Sequence, residues 1–136
     1  MVRPARDDDI PAVLELWGEA RSAAAVTPDS HEAVELLLDV APDGLLVAES
    51  DGRIVGVLVA AWDGWRGNMY RLAVLPAYRR RGIARRLVEE GHARLRAKGA
   101  RRVTALVGSN EEEAKSLWRA LGYELDEDIA RFVRKL

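Results

Sequence analysis

The sequence predicts a mixed α/β fold built as one domain over residues 1–136, and three observations predict it. A chain of 136 residues suits one compact domain and is too short for two ordinary ones. Hydrophobic residues make up 49% and charged residues 32%, the balance of a soluble chain that folds around a core. Apolar residues recur at strand period in some segments and at helical period in others. Their order is strand, two helices, three strands, helix, strand, helix, strand.

Val2-Arg3-Pro4 opens as a short strand. In DDDIPAVLELWGEARSAA acidic residues fill a first helical turn, and Ile10, Val13, Leu14 and Trp17 recur at helical spacing. TPDSHEAVELLLDVAPDG gives a second helix, capped by Ser30 or Asp29 and ended by Pro42 and Gly44. GLLVAESDGRIVGVLVAAWDG holds two apolar runs joined by Asp51-Gly52, a strong hairpin signal. WRGNMYRLAVL reads as another strand, ended by Pro76. From Gly82 to Lys98 the period turns helical, with Ile83, Leu87, Gly91 and Leu95 on one face and Gly99 as the stop. ARRVTALVG is a fifth strand. NEEEAKSLWRALG is a further helix with Asn110 as its cap, glutamates in its first turn and Gly122 past its end. YELDEDIARFVRKL leaves room for one or two closing strands.

Several function classes fall away at this level. No apolar run approaches the roughly 20 residues that cross a bilayer, and MVRPARDDDIP lacks the apolar core of a signal peptide. A cytoplasmic protein with no membrane partner is therefore expected. With no cysteine there is no disulfide, no thiolate metal ligand and no thioester carried on the protein. His31 and His92 stand far apart, so no metal site is expected.

The net charge of −1 hides a local imbalance. Acidic clusters sit at Asp7 to Asp9, Glu111 to Glu113 and Asp126 to Asp128, and basic ones at Arg79 to Arg86 and Arg94 to Arg102. A protein that coats nucleic acid usually carries an overall positive balance, so no nucleic-acid partner is expected. The basic cluster suits a small, multiply charged anion better. Helix N-termini carry unpaired N–H groups and a partial positive charge, and bind phosphate readily. A strand ending at Val74 and a helix opening near Gly82 would present such a terminus beside the sheet. Gly82 and Ala84 let a ligand approach the backbone, while Arg79, Arg80 and Arg81 supply forks suited to phosphate oxygens. Taken alone, R-x-x-G-x-A reads as readily as a turn glycine inside a solvated helix face; its place between strand and helix is what phosphate binding requires.

LAVLPAYRRRGIARRLVEEGHARLRAKGA resembles the acetyl-CoA-binding segment of the GNAT superfamily of N-acetyltransferases, whose pattern Q/R-x-x-G-x-G/A is here Arg79-x-x-Gly82-x-Ala84. NEEEAKSLWRALGY is similar to that family's asparagine-capped helix followed by glycine and an aromatic residue. The likeness covers essentially the whole chain and is nearest to small bacterial single-domain members. It implies a central mixed, mostly antiparallel sheet, splayed between the fourth and fifth strands, with about four helices on both faces. It implies acetyl-CoA as co-substrate and an amine as acceptor. Transfer is then direct, without a covalent enzyme intermediate. By the same likeness the backbone from Arg79 through Arg80, Arg81, Gly82, Ile83 and Ala84 to Arg85 holds the CoA diphosphate. Leu72, Ala73 and Val74 pair with the pantetheine arm, and the Val74 amide steadies the oxyanion. Asn110 is left with two readings, a pantetheine contact or a plain helix cap. Trp118 falls in the same cofactor-binding region. The oligomeric state is not readable from the sequence, and a homodimer is common among look-alikes.

The sequence departs from the family at both proton-transfer positions. Trp118 stands where many members have an acidic tyrosine, and Asn68 where many have a basic glutamate; neither can fill the usual role. Tyr70, on the same strand face as Asn68, and Glu49 or Asp63 are substitutes for which a surface or core reading is favoured. Trp62, Trp65 and Trp118 could line an acceptor pocket or fill the core, Trp17 suits the core, and Arg66 reads as a turn residue or a guide for an acidic acceptor. A catalytically weak CoA-binding module is the alternative, and an arginine-patch nucleic-acid binder ranks last.

Overall fold

The computed structural model describes residues 1–20 and 29–136. The end of the first predicted helix and the start of the segment before the second lie outside the described residues. In chain order the elements are β1 (Val2–Pro4), α1 (Ile10–Ala20), α2 (His31–Val40), β2 (Leu45–Ser50), β3 (Arg53–Trp62), β4 (Gly67–Val74), α3 (Ile83–Ala97), β5 (Val103–Ala105) and α4 (Glu112–Ala120). The five strands lie in sequence order, all antiparallel except for the parallel β4–β5 pair.

The hairpin turn at Asp51-Gly52 takes left-handed backbone at both residues, φ 52° and 73°, the twist that matches antiparallel strands. Ser30, not Asp29, caps α2: its hydroxyl accepts from the Ala33 N–H at 3.1 Å. Asp7 to Asp9 form a short 3-10 turn ahead of α1 instead of its first α-helical turn. Asp9 is drawn off by the Arg3 guanidinium at 2.7 Å and the Arg6 N–H at 2.8 Å.

The core runs through the sheet. Leu45, Leu46, Val57 and Leu58 are buried, and Ile10, Val13 and Leu16 of α1 and Leu87, Val88 and Leu95 of α3 pack around them. Gly56 and Gly67 face α3: a Cβ on Gly56 would lie 3.0 Å from Ile83 and Leu87, and one on Gly67 3.1 Å from Leu95. Met69 faces the same helix through Gly91, where a Cβ would come within 2.6 Å of its terminal methyl. Side chains alternate along a strand, so Asn68 and Tyr70 project to the other face, which α1 covers.

Two expectations fail. Residues 123–136 form no strand. Asp126 folds back to accept from the Asp128 N–H at 3.2 Å, which interrupts the alternation, and Phe132 is left 95% exposed. Nor does Asn110 cap α4. The Glu111 N–H donates to the Gly108 carbonyl at 3.0 Å, a turn that delays the helix by one residue, so Glu111 is the capping position and Asn110 precedes it.

Candidate active site

The loop from β4 to α3 begins with Pro76, whose ring starts a 3-10 turn over Pro76–Tyr78. Arg79 then turns its side chain back, and Nε donates to the Val74 carbonyl at 3.3 Å. Arg79 thus ties the loop to the strand end. Arg81 lies over the Tyr78 ring at 5.0 Å, a cation–π contact that leaves the guanidinium at the surface. Gly82 caps α3 with φ 80° and ψ 11°, left-handed backbone that glycine adopts without steric cost. A Cβ there would meet nothing within 4 Å, so the space above its backbone is open. Arg80 is left-handed too, at φ 63°. Left-handed residues alternating along a turn gather successive N–H groups into a concave anion-binding nest. Among the described residues, the N–H groups from Arg80 to Arg85 find no protein acceptor, whereas the Arg86 N–H closes the first helical bond to the Gly82 carbonyl at 3.1 Å.

The sheet parts beside this nest. β4 and β5 pair only from Gly67–Val103 to Met69–Ala105, with a last bond from the Leu106 N–H to the Met69 carbonyl at 3.0 Å. β4 continues to Val74 with β3 alone beside it. The Leu75 N–H donates to Val55 of β3 at 2.9 Å. Successive strand N–H groups point to opposite edges, so the Val74 N–H faces the gap. Leu72, Ala73 and Val74 line that free edge, and their carbonyls and amides can accept an extended ligand as an added strand.

The proton-transfer candidates are scattered. Asn68 and Tyr70 share the α1 face, opposite Ala61 and Val59 of β3. Burial pushes the Tyr70 phenol up from its usual range. Trp118 is buried, edge-on to Tyr123 with ring centres 4.8 Å apart. Glu49 is occupied by Arg3 at 2.8 Å. Asp63 closes its own turn by accepting from the N–H groups of Trp65 and Arg66, and those bonds, Arg66 first, hold its carboxyl below the usual range. Trp65 is 82% exposed in that turn and so outside the core, Trp17 is buried in it, and Trp62 packs at its margin. Asn110 is exposed in the turn ahead of α4.

Two features escape a reading of the sequence. His92 Nε2 meets the Tyr123 hydroxyl at 2.6 Å, under Met69, the last residue of β4 that pairs with β5; burial lowers the His92 pKa and pushes the Tyr123 phenol up to about 12. Arg71, within β4, has φ 53°. No sequence signal marks either, because an arginine does not announce a left-handed turn and the two ring residues are 31 positions apart.

A nest of free amides, set beside a strand whose own amide faces a parted sheet, can hold a phosphate at one end of an extended ligand and an oxyanion at the other. The sequence profile of the acetyltransferase (GNAT) family matches residues 10–123. An acetyltransferase of Sodalis glossinidius is 33% identical over 135 residues, 99% of this chain and 94% of its own length. Among solved structures, Ard1 from Thermoplasma volcanium superposes with a TM-score of 0.81 at 18% identity, over 93% of this chain and 83% of that one. A ribosomal-protein-alanine N-acetyltransferase from Brucella melitensis gives 0.75 at 26%, over 91% and 84%. Among the described residues no helix is long and apolar enough to cross a membrane. The chain belongs to the acetyltransferase (GNAT) family, with acetyl-CoA as its co-substrate.

Proposed function

We propose that the chain, working as one domain over residues 1–136, transfers the acetyl group of acetyl-CoA directly to a primary amine, with no covalent enzyme intermediate. The observation that carries this reading is the pairing of free N–H groups at Arg80 to Arg85 with a Val74 amide that faces the parted strands. The diphosphate would rest on the nest around Gly82, with Arg80, Arg81 and Arg85 supplying positive field and Arg79 bracing the loop. The pantetheine arm would run along Leu72–Val74, and the Val74 N–H would stabilise the oxyanion formed as the amine attacks the thioester. Ile83 and Ala84 open the helix beneath the phosphates, and Asn110 reaches the arm from across the gap. The likeness to the Brucella protein, whose name specifies N-acetylation of a protein alanine, supports an amine acceptor.

Neither Asn68 nor Trp118 can exchange a proton at neutral pH, so the ammonium proton leaves, and the thiolate is protonated, through water. Tyr70, whose phenol burial pushes up from its usual range, lies on the face of β4 opposite α3 and would be the side chain to assist. A second reading is a CoA-binding module without turnover, supported by the buried Trp118 where the family carries an acid. Thiol release from acetyl-CoA, measured over a panel of small amines and of peptides with free N-termini, separates the two. Amine-dependent release supports transfer. Thermal stabilisation by CoA with no release on any amine favours the module.

A further inference from the structure

Arg71 occupies a place where a bulged strand ordinarily puts glycine. Between the pairs Val57–Ala73 and Val59–Tyr70 the ladder sets Arg71 and Leu72 against Leu58 alone, and the first of the two is the left-handed residue. In that conformation a Cβ crowds the following carbonyl, so an arginine persists there only where its surroundings hold it. Among the described residues, contacts to Trp17 and Asp29 hold this one. Its carbonyl accepts from the Trp17 indole N–H at 3.2 Å. Its guanidinium lies 5.1 Å from the centre of the same indole ring. Its Nη1 pairs with the carboxylate of Asp29, just ahead of α2. The two charged side chains are only 16% and 14% exposed, so water screens the pair weakly.

We infer that Arg71 is a positioning residue: by fastening the β4 bulge to α1 through Trp17 and to the head of α2 through Asp29, it aims the Leu72–Val74 backbone at the pantetheine arm of acetyl-CoA. The inference rests on the reading that this backbone receives the arm. The physical link is register. A bulge adds one residue to its strand, so everything beyond it is turned over relative to a regular ladder. With the bulge at Arg71–Leu72 the Val74 N–H faces the gap; with a regular ladder it would face β3 and be consumed by it. The phosphate nest lies beyond the strand, on Arg80–Arg85, and does not depend on the direction of that amide.

The test titrates wild type and variants with acetyl-CoA and with 3′-phosphorylated ADP, which carries the diphosphate but no pantetheine arm. Arg71→Ala should weaken acetyl-CoA by about tenfold, the equivalent of one or two hydrogen bonds, and leave the nucleotide unchanged. Arg71→Lys, which keeps a cation over the indole and within reach of Asp29, should restore most of the loss. If Arg71→Ala does not fold, Asp29→Asn takes its place, with a smaller shift of the same ratio expected. A folded variant that keeps the wild-type ratio, or loses both ligands alike, overturns the inference while leaving the acetyl-CoA reading intact. Wild-type protein that binds neither ligand overturns both.

Discussion

Gly82 and Arg80 divide the work of the phosphate nest in a way only partly legible in the sequence. A glycine between a strand and a helix announces left-handed backbone, and the structure has φ 80° there. Arg80 and Arg71 take the same conformation without any such signal, and Arg71 is held there by Trp17 and Asp29, both distant in sequence. The vacancies at the proton-transfer positions were legible, since residue type alone excludes amide and indole from acid–base work. Asn68→Ala and Trp118→Phe should therefore each retain activity, within about tenfold of wild type for loss of a single packing or hydrogen-bond contact. Initial rates of thiol release with a productive amine check this. Complete loss from either would show that the side chain takes part in the chemistry.

At the scale of elements, the site depends on how closely α3 approaches the sheet. Gly56 of β3 lets the first turn of the helix sit against the strand, with Ile83 and Leu87 already at 3.0 Å from where a Cβ would be. Gly56→Val would push that turn outward, costing about 1–3 kcal/mol as overpacked cores do, and would move the nest away from Val74. Denaturant unfolding together with acetyl-CoA titration should show both losses, and a variant that is destabilised with full affinity would uncouple helix position from the site. Hydrophobic patterning revealed this helix and β2 to β5, since one face of each must be buried. The closing strands, expected only from the length of chain left after α4, are absent, and Leu125, Ile129 and Phe132 stay exposed. Composition also misplaced the α4 cap by one residue, because a turn bond from Glu111 to Gly108 competes with the asparagine.

Over the whole molecule, a charged knot closes the edge of the sheet. Arg3 of β1 joins Asp9 ahead of α1 at 2.7 Å and Glu49 of β2 at 2.8 Å, with the Arg3 and Asp9 side chains 15% and 13% exposed. The bonds from Arg3, offset in part by burial, hold the Asp9 carboxyl below its ordinary 3.8. A depressed carboxyl pKa stabilises the fold above the unfolded value, and that contribution is lost as pH falls from about 4 through the folded value. Asp9→Asn should thus cost about 1–3 kcal/mol at pH 7, as for charge-assisted hydrogen bonds, and should flatten the decline in unfolding free energy below pH 4. An unchanged acid slope would assign that decline to other carboxylates. The mixed α/β architecture and the parted sheet followed from element order and a family likeness, while this knot and the Arg71 clamp are products of tertiary contact that no local pattern encodes. The central claim is that main-chain N–H groups around Gly82 grip the diphosphate of acetyl-CoA. Calorimetric titration of Gly82→Glu with acetyl-CoA tests it most directly. Added negative charge and a strained left-handed backbone should abolish binding in a protein that still melts cooperatively, whereas wild-type affinity in the folded variant would contradict it.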